Sequence, residues 1–145
     1  MDVFDAYFHK LTDIMQTIMR TQRAAMERAA SALADAFLAG GRLYAFGCSH
    51  AGLLADELCY RTGGMAVVNS VHAPGLHLDV RPLSMSSQME RIPGYGATIA
   101  RSLALKPGDA VIVHSVSGRN AVSVEFAQAA RAAGATVIAL TNVAY

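Results

Sequence analysis

The chain is short of cysteine, of charge and of long apolar runs, and each shortage excludes something. Cys48 and Cys59 are its only cysteines in 145 residues, and they show no metal-ligand spacing. A chain of this size needs no covalent staple, so both are expected as free thiols in a cytoplasmic protein. Charged residues make up 16% of the chain and the net charge is +1, with no Lys/Arg run long enough to form a stripe. Nucleic acid and anionic membrane are therefore not the expected partners. No apolar run approaches the roughly 20 residues a membrane helix requires. Asp2 and Asp5 interrupt the apolar N-terminus, which reads as neither signal nor transit peptide. With 53% hydrophobic residues, what remains is one compact domain with a real core and a small-molecule partner.

The most informative stretch is Val111-Ile112-Val113-His114-Ser115-Val116-Ser117-Gly118-Arg119-Asn120. A β-branched run passes through a hydroxyl-rich glycine turn into Ala121 to Ala133, where Val122, Phe126, Ala129, Ala130 and Ala133 recur at helical spacing. Such a junction leaves helix N–H groups and the positive end of the helix dipole facing solvent, which suits an anion such as phosphate. Ser115, Ser117 and Asn120 supply donors, Gly118 permits close approach, and Arg119 could pair with a phosphate. The competing reading is that Ser117 or Asn120 simply caps the helix.

A second junction of the same kind lies upstream: strand Leu43 to Phe46, turn Gly47-Cys48-Ser49-His50-Ala51-Gly52, and a helix from about Leu53 to Thr62. Before it, Asp2 to about Ala39 carries apolar residues three to four apart, with no Gly or Pro, and Gly40-Gly41 closes it. This predicts one long helix or two in tandem. Its second apolar row, Phe4, Phe8, Met15 and Met19, widens the stripe; the segment either folds over its own core or covers a partner subunit. A strand is expected at Met65 to Asn69, a long connection from Ser70 to Gly96, a short helix at Tyr95 to Leu103 and a last strand at Thr136 to Leu140. Alternating strands and helices predict an α/β fold, a three-layer Rossmann-like parallel sheet with a long N-terminal helical segment. The expected division is residues 1–41 as that segment and residues 42–145 as the domain proper. A dinucleotide site is set aside. Ser49 stands where the middle glycine of GxGxxG would be, and the second strand is expected to finish in Asn69 rather than an acid.

The turn Ser115 to Asn120, with its helix and the strand Val137 to Thr141, resembles the second signature of the sugar isomerase (SIS) domain. Gly47 to Gly52, together with Ser87 to Arg91 and Gly94-Tyr95-Gly96, is similar to one branch, the UPF0309 group. The resemblance implies that both turns bind the phosphate and hydroxyls of a phosphosugar, with Gly47, Ser49, Ser115, Ser117, Gly118, Arg119 and Asn120 as binding residues. It implies a sugar-phosphate isomerase of the aldose–ketose, phosphoheptose-isomerase-like kind; a non-catalytic phosphosugar sensor and a sugar-phosphate ether lyase are the alternatives. Two departures stand out. Ala51 occupies a position where the family usually carries serine, and the family's domain continues past the strand at 136–140. On this reading the domain is incomplete at its C-terminus.

Isomerisation needs a base, an acid and a phosphate anchor. Glu90 is the first candidate base, because the long connection should overhang the carboxyl edge of the sheet; Glu57, on the helix after the first turn, is the second. His50, inside the first turn, could donate to phosphate or shuttle a proton. His114 reads as a satisfied core histidine and Cys48 as a buried small residue rather than a nucleophile. His72 and His77 lack an acidic or cysteine partner in pattern, so neither a metal nor another cofactor is expected. The expected partners are a phosphorylated sugar and a second copy of the chain, as a homodimer or higher homo-oligomer.

Overall fold

The computed structural model describes residues 2–144. Residues up to Ala34 form one compact unit and those from Asp35 onward a second. The first is the bulk of a single unbroken helix, α1 (Val3–Leu38), within which no residue is buried. Of its apolar side chains, Phe4, Phe8, Met15 and Met19 are each more than half exposed. Gly40, at φ +78°, ends the helical run as expected.

The second unit is a four-stranded, wholly parallel sheet: β1 (Leu43–Gly47), β2 (Val68–Val71), β3 (Ala110–His114) and β4 (Thr136–Leu140). Spatial order is β2-β1-β3-β4. The helices are α2 (Gly52–Cys59), α3 (Ser84–Met89), α4 (Tyr95–Ser102) and α5 (Ala121–Ala132). The chain runs outward from β1 to β2 in one direction and from β3 to β4 in the other. Right-handed crossovers then require α2 and α5 on opposite faces, giving the three layers.

Strand alternation explains the core. Tyr44 and Phe46 on β1 stand in register with Val111 and Val113 on β3, and these side chains share one face with Val71 and Val137. On that face Phe46 stacks on Phe126 of α5, ring centroids 4.1 Å apart. Helix α4 lies so close against α5 that a Cβ on Gly96 would overlap the carbonyl of Val122. The other face carries Ala45, Ile112 and Ile138 in register.

Three element boundaries differ from the sequence expectation. The strand expected at Met65 to Asn69 is displaced to Val68–Val71, because the Met65 N–H bonds back to the carbonyl of Leu58 and the Val68 N–H to that of Met65. Those bonds make residues 65–67 a return from α2, which ends at Cys59 rather than Thr62. The long connection contains a helix of its own, α3, over part of the serine-rich patch. Its Ser86 hydroxyl is satisfied on the carbonyl of Leu83, 2.9 Å away.

Candidate functional site

In a parallel sheet of this order the neighbours of β1 and β3 lie on opposite sides, so the chain diverges between them and opens a crevice at their carboxyl ends. Both turns singled out in the sequence leave the sheet there, since Gly47 at the end of β1 is paired with His114 at the end of β3. Beneath them His114 Nδ1 donates to the carbonyl of Ala51 at 2.9 Å, tying one turn to the other strand. His114 is the satisfied histidine its position suggested.

The first turn is tighter than a plain loop. Ser49–Ala51 forms a single 3₁₀ turn, entered through Ser49 at φ +52°, a left-handed conformation that costs a non-glycine residue. The Ser49 N–H bonds to the carbonyl of Leu76 at 2.7 Å, while its hydroxyl oxygen is buried without a hydrogen-bond partner. In the second turn Gly118, at φ +63°, donates its N–H to Ser115 Oγ at 3.2 Å; a Cβ there would press on the Thr141 hydroxyl. Asn120 makes no side-chain cap on α5. Its side chain turns to Glu90 instead.

A cavity of about 170 Å³ lies between the two turns, lined by Ser49, His50 and Ala51 from the first and by Ser115, Val116, Ser117 and Asn120 from the second, with Glu90 beside them. Two turns far apart in the chain thus line one cavity. Cys48 and Ser123 complete the lining, their side chains 3.7 Å apart. Burial pushes the Glu90 carboxyl above the ordinary glutamate range, against the Arg91 charge and the hydrogen bond from Asn120. Burial likewise pushes the Cys48 thiol up to about 11, against its hydrogen bond with Ser123 and with the Glu90 charge adding to it. Cys48 is a poor nucleophile under those conditions.

The remaining candidates lie elsewhere. Gly47, Gly118 and Arg119 do not line the cavity, and Arg119 is exposed. Glu57 does not reach the cavity; it is exposed on α2 in an ion pair with Arg61 one turn on. Ser123 was not singled out from the sequence. Its only signal there is a serine on the first turn of a helix that otherwise faces a core. Among the described residues no three His, Cys, Asp or Glu side chains are gathered to hold a metal ion.

Comparison with known proteins agrees with this architecture. The SIS domain model matches residues 6–142. A UPF0309 protein of Shouchella clausii is 39% identical over 145 residues, all of this chain and 59% of that protein. A UPF0309 protein of Streptomyces coelicolor is 41% identical over 134 residues, 92% of this chain and 53% of that one. The chain thus spans little more than half the length of these relatives. Among solved structures, phosphoheptose isomerase from Neisseria gonorrhoeae superposes with a TM-score of 0.66 at 20% identity, covering 95% of this chain and 72% of that one. A phosphoheptose isomerase from Francisella tularensis gives 0.62 at 18%, covering 97% and 76%. At such identities the likeness is one of fold. The chain accordingly belongs to the SIS domain family.

Proposed function

We propose that this protein binds a phosphorylated sugar between its two turns and interconverts aldose and ketose forms of it. The observation that carries the reading is the convergence of Ser49, Ser115, Ser117, Asn120 and Glu90 on one small cavity at the sheet's switch point. The serines, the asparagine and the first turn of α5 hold the phosphate. Glu90 takes the proton from the carbon beside the carbonyl, and the C–H electron pair moves into the C=C bond of an enediolate. The resulting acid returns that proton to the former carbonyl carbon. His50, exposed at the rim, carries a proton between the two oxygens. Substrate and product are isomers, so no co-reactant is consumed. The phosphoheptose isomerase likeness supports this reaction class through the fold alone.

One observation favours a non-catalytic sensor: Ala51 replaces an expected serine in the first turn, leaving one fewer hydroxyl for phosphate. An ether-cleaving lyase would use Glu90 equally well as its base. The three are separated by a ligand panel followed by turnover assays. Inorganic phosphate, fructose 6-phosphate, sedoheptulose 7-phosphate, glucosamine 6-phosphate and N-acetylmuramic acid 6-phosphate are added to the chain and its melting temperature is read. A ligand of the folded state raises it by mass action. A sugar phosphate that stabilises more than free phosphate supports the site, and isomer formation from it distinguishes enzyme from sensor.

The proposal extends to assembly and location. The exposed apolar stripe of α1 is the surface on which a second copy packs, and the protein works in the cytoplasm.

A further inference from the structure

Residues 90–94 join α3 to α4 and carry the Glu90 side chain to the cavity between the two turns. The helix before them gives little support. In α3 Ser86 is buried, but Ser84, Met85, Ser87 and Gln88 are exposed, and Met89 at its end lies against Gly75. The firmer hold comes from α5. The Asn120 side chain at its start donates to the Glu90 carboxyl, the Val122 N–H donates to the Glu90 carbonyl at 3.1 Å, and Glu125 Oε1 accepts the Gly94 N–H at 2.8 Å. Asn120 belongs to the cavity lining and Val122 acts through its backbone, whereas Glu125 lies outside the cavity and acts through its side chain. Resting on the reading of Glu90 as the base, we infer that Glu125 is its positioning residue: the bond to Gly94 ties residues 90–94 down on α5 and keeps the Glu90 carboxyl turned into the cavity.

The connection from Gly94 to Glu90 is stiff. The N–H groups of Glu90, Arg91 and Ile92 donate to the carbonyls of Ser86, Gln88 and Met89 at 3.0, 3.1 and 3.1 Å, so residues 86–92 turn as one unit, and Pro93 fixes its own φ beside Gly94. Gly94 itself sits at φ +81°, where glycine is unstrained but also free to leave, and the Glu125 bond removes that freedom. A shift at Gly94 therefore reaches Glu90. The other carboxyl oxygen of Glu125, Oε2, is buried without a hydrogen-bond partner. An unmet buried acceptor is unfavourable, and an apolar side chain at this place on α5 would avoid it, so what the residue contributes is the bond made by Oε1. The Glu90 carboxyl responds to burial, to the Arg91 charge and to the Asn120 hydrogen bond. Glu125 reaches it through the backbone, which lets acceptor and charge be separated by substitution.

The test reads the Glu90 carboxyl directly. Its carbon is followed by NMR titration, assigned through Glu90→Gln, in the unaltered chain, Glu125→Met and Glu125→Gln. Melting temperature is measured alongside, with kcat and KM for isomer formation from the sugar phosphate that binds best. Methionine fills the same space without the carboxyl acceptor, while glutamine keeps the acceptor and drops the charge. In Glu125→Met the Glu90 titration should move down towards the ordinary glutamate range as water reaches the carboxyl, and kcat should fall about 10²-fold with KM little changed. Glu125→Gln should restore both. Cys48, Arg91 and Asn120, which act on Glu90 from the first turn, the same stretch and the second turn, are present in all three chains. A lower melting temperature in Glu125→Met with the Glu90 titration unmoved would make Glu125 a mere cap of α4 and overturn the inference. Equal effects of the two substitutions, or failure of Glu125→Met to fold, would overturn it too. If the unaltered chain isomerises no sugar phosphate, the isomerase reading fails, and the titration by itself decides whether Glu125 holds Glu90.

Discussion

The backbone carbonyl of Glu90 accepts the N–H of Val122 at 3.1 Å. That bond satisfies a donor of the first turn of α5 that the helix itself cannot, and fixes the end of the long connection over the second turn. The Glu90 side chain is thereby delivered to Asn120 and the cavity.

Glu90→Gln should leave phosphate binding in place and lower turnover about 10² to 10⁴-fold, measured as isomer formation from the best-binding sugar phosphate. As a base Glu90 must be ionised, so the acid limb of the rate profile should lie above the ordinary glutamate value. The same shift has a stability sign. The folded chain holds the Glu90 proton more tightly than the unfolded chain does, so this group's contribution falls as pH rises from the ordinary glutamate value through the raised one. Melting curves of Glu90→Gln across that window should lack this component.

Ser117→Ala removes a hydroxyl from the cavity between the two turns without touching the core. A hydrogen bond to a charged group contributes about 1.5–3 kcal/mol, so phosphate affinity should fall about tenfold or more by titration. Unchanged affinity would sink the claim that the second turn holds the anion.

Asp109 is fully buried at the entry to β3. Burial opposes its ionisation, but the backbone N–H groups of Arg42 and Lys106 and the Arg42 guanidinium hold its carboxyl below the ordinary range. Its stabilisation is present above the unfolded-state value and is lost as pH falls through the lowered one. Asp109→Asn should cost about 2–4 kcal/mol in urea unfolding at neutral pH. The difference from the unaltered chain should shrink in acid.

Cys48 is buried with its thiol pushed up, while Cys59 is partly exposed. Iodoacetamide at neutral pH should modify Cys59 first, read by peptide mass, and Cys48 only on unfolding. Rapid labelling of Cys48 in the folded chain would contradict the packing around it.

The exposed stripe of α1 gives the assembly proposal a direct check. Ile18→Asp should convert a dimer to monomer by light scattering at micromolar concentration; a monomeric unaltered chain refutes the proposal outright.

Local chemistry made much of this molecule readable from sequence. The β-branched run into Ser115 to Asn120 and the spacing of Val122, Phe126 and Ala130 announce a strand, turn and helix, because hydrophobic period and turn residues act within a few positions. The same holds for the Leu43 to Gly52 junction and for the helical character of α1, though the sequence leaves open whether it is one helix or two in tandem. What escaped was set by bonds across the chain. Residues 65–67 carry strand-like side chains but are bent by the Met65 to Leu58 hydrogen bond, and α3 hides among serines of weak helical preference. In the sequence Glu90 ranks ahead of Glu57; Glu57 pairs with Arg61 one helical turn on, and packing across the chain brings Glu90 to Asn120.

The amino-acid sequence alone therefore determined most of the elements, their alternation and the two glycine turns, since each follows from periodicity and backbone preference within short windows. The tertiary structure alone decided that β1 and β3 are neighbours, that their turns share a cavity, and that Glu90 lines it together with Ser49. Those relations depend on burial and pairing between residues far apart in the chain, where no local rule acts.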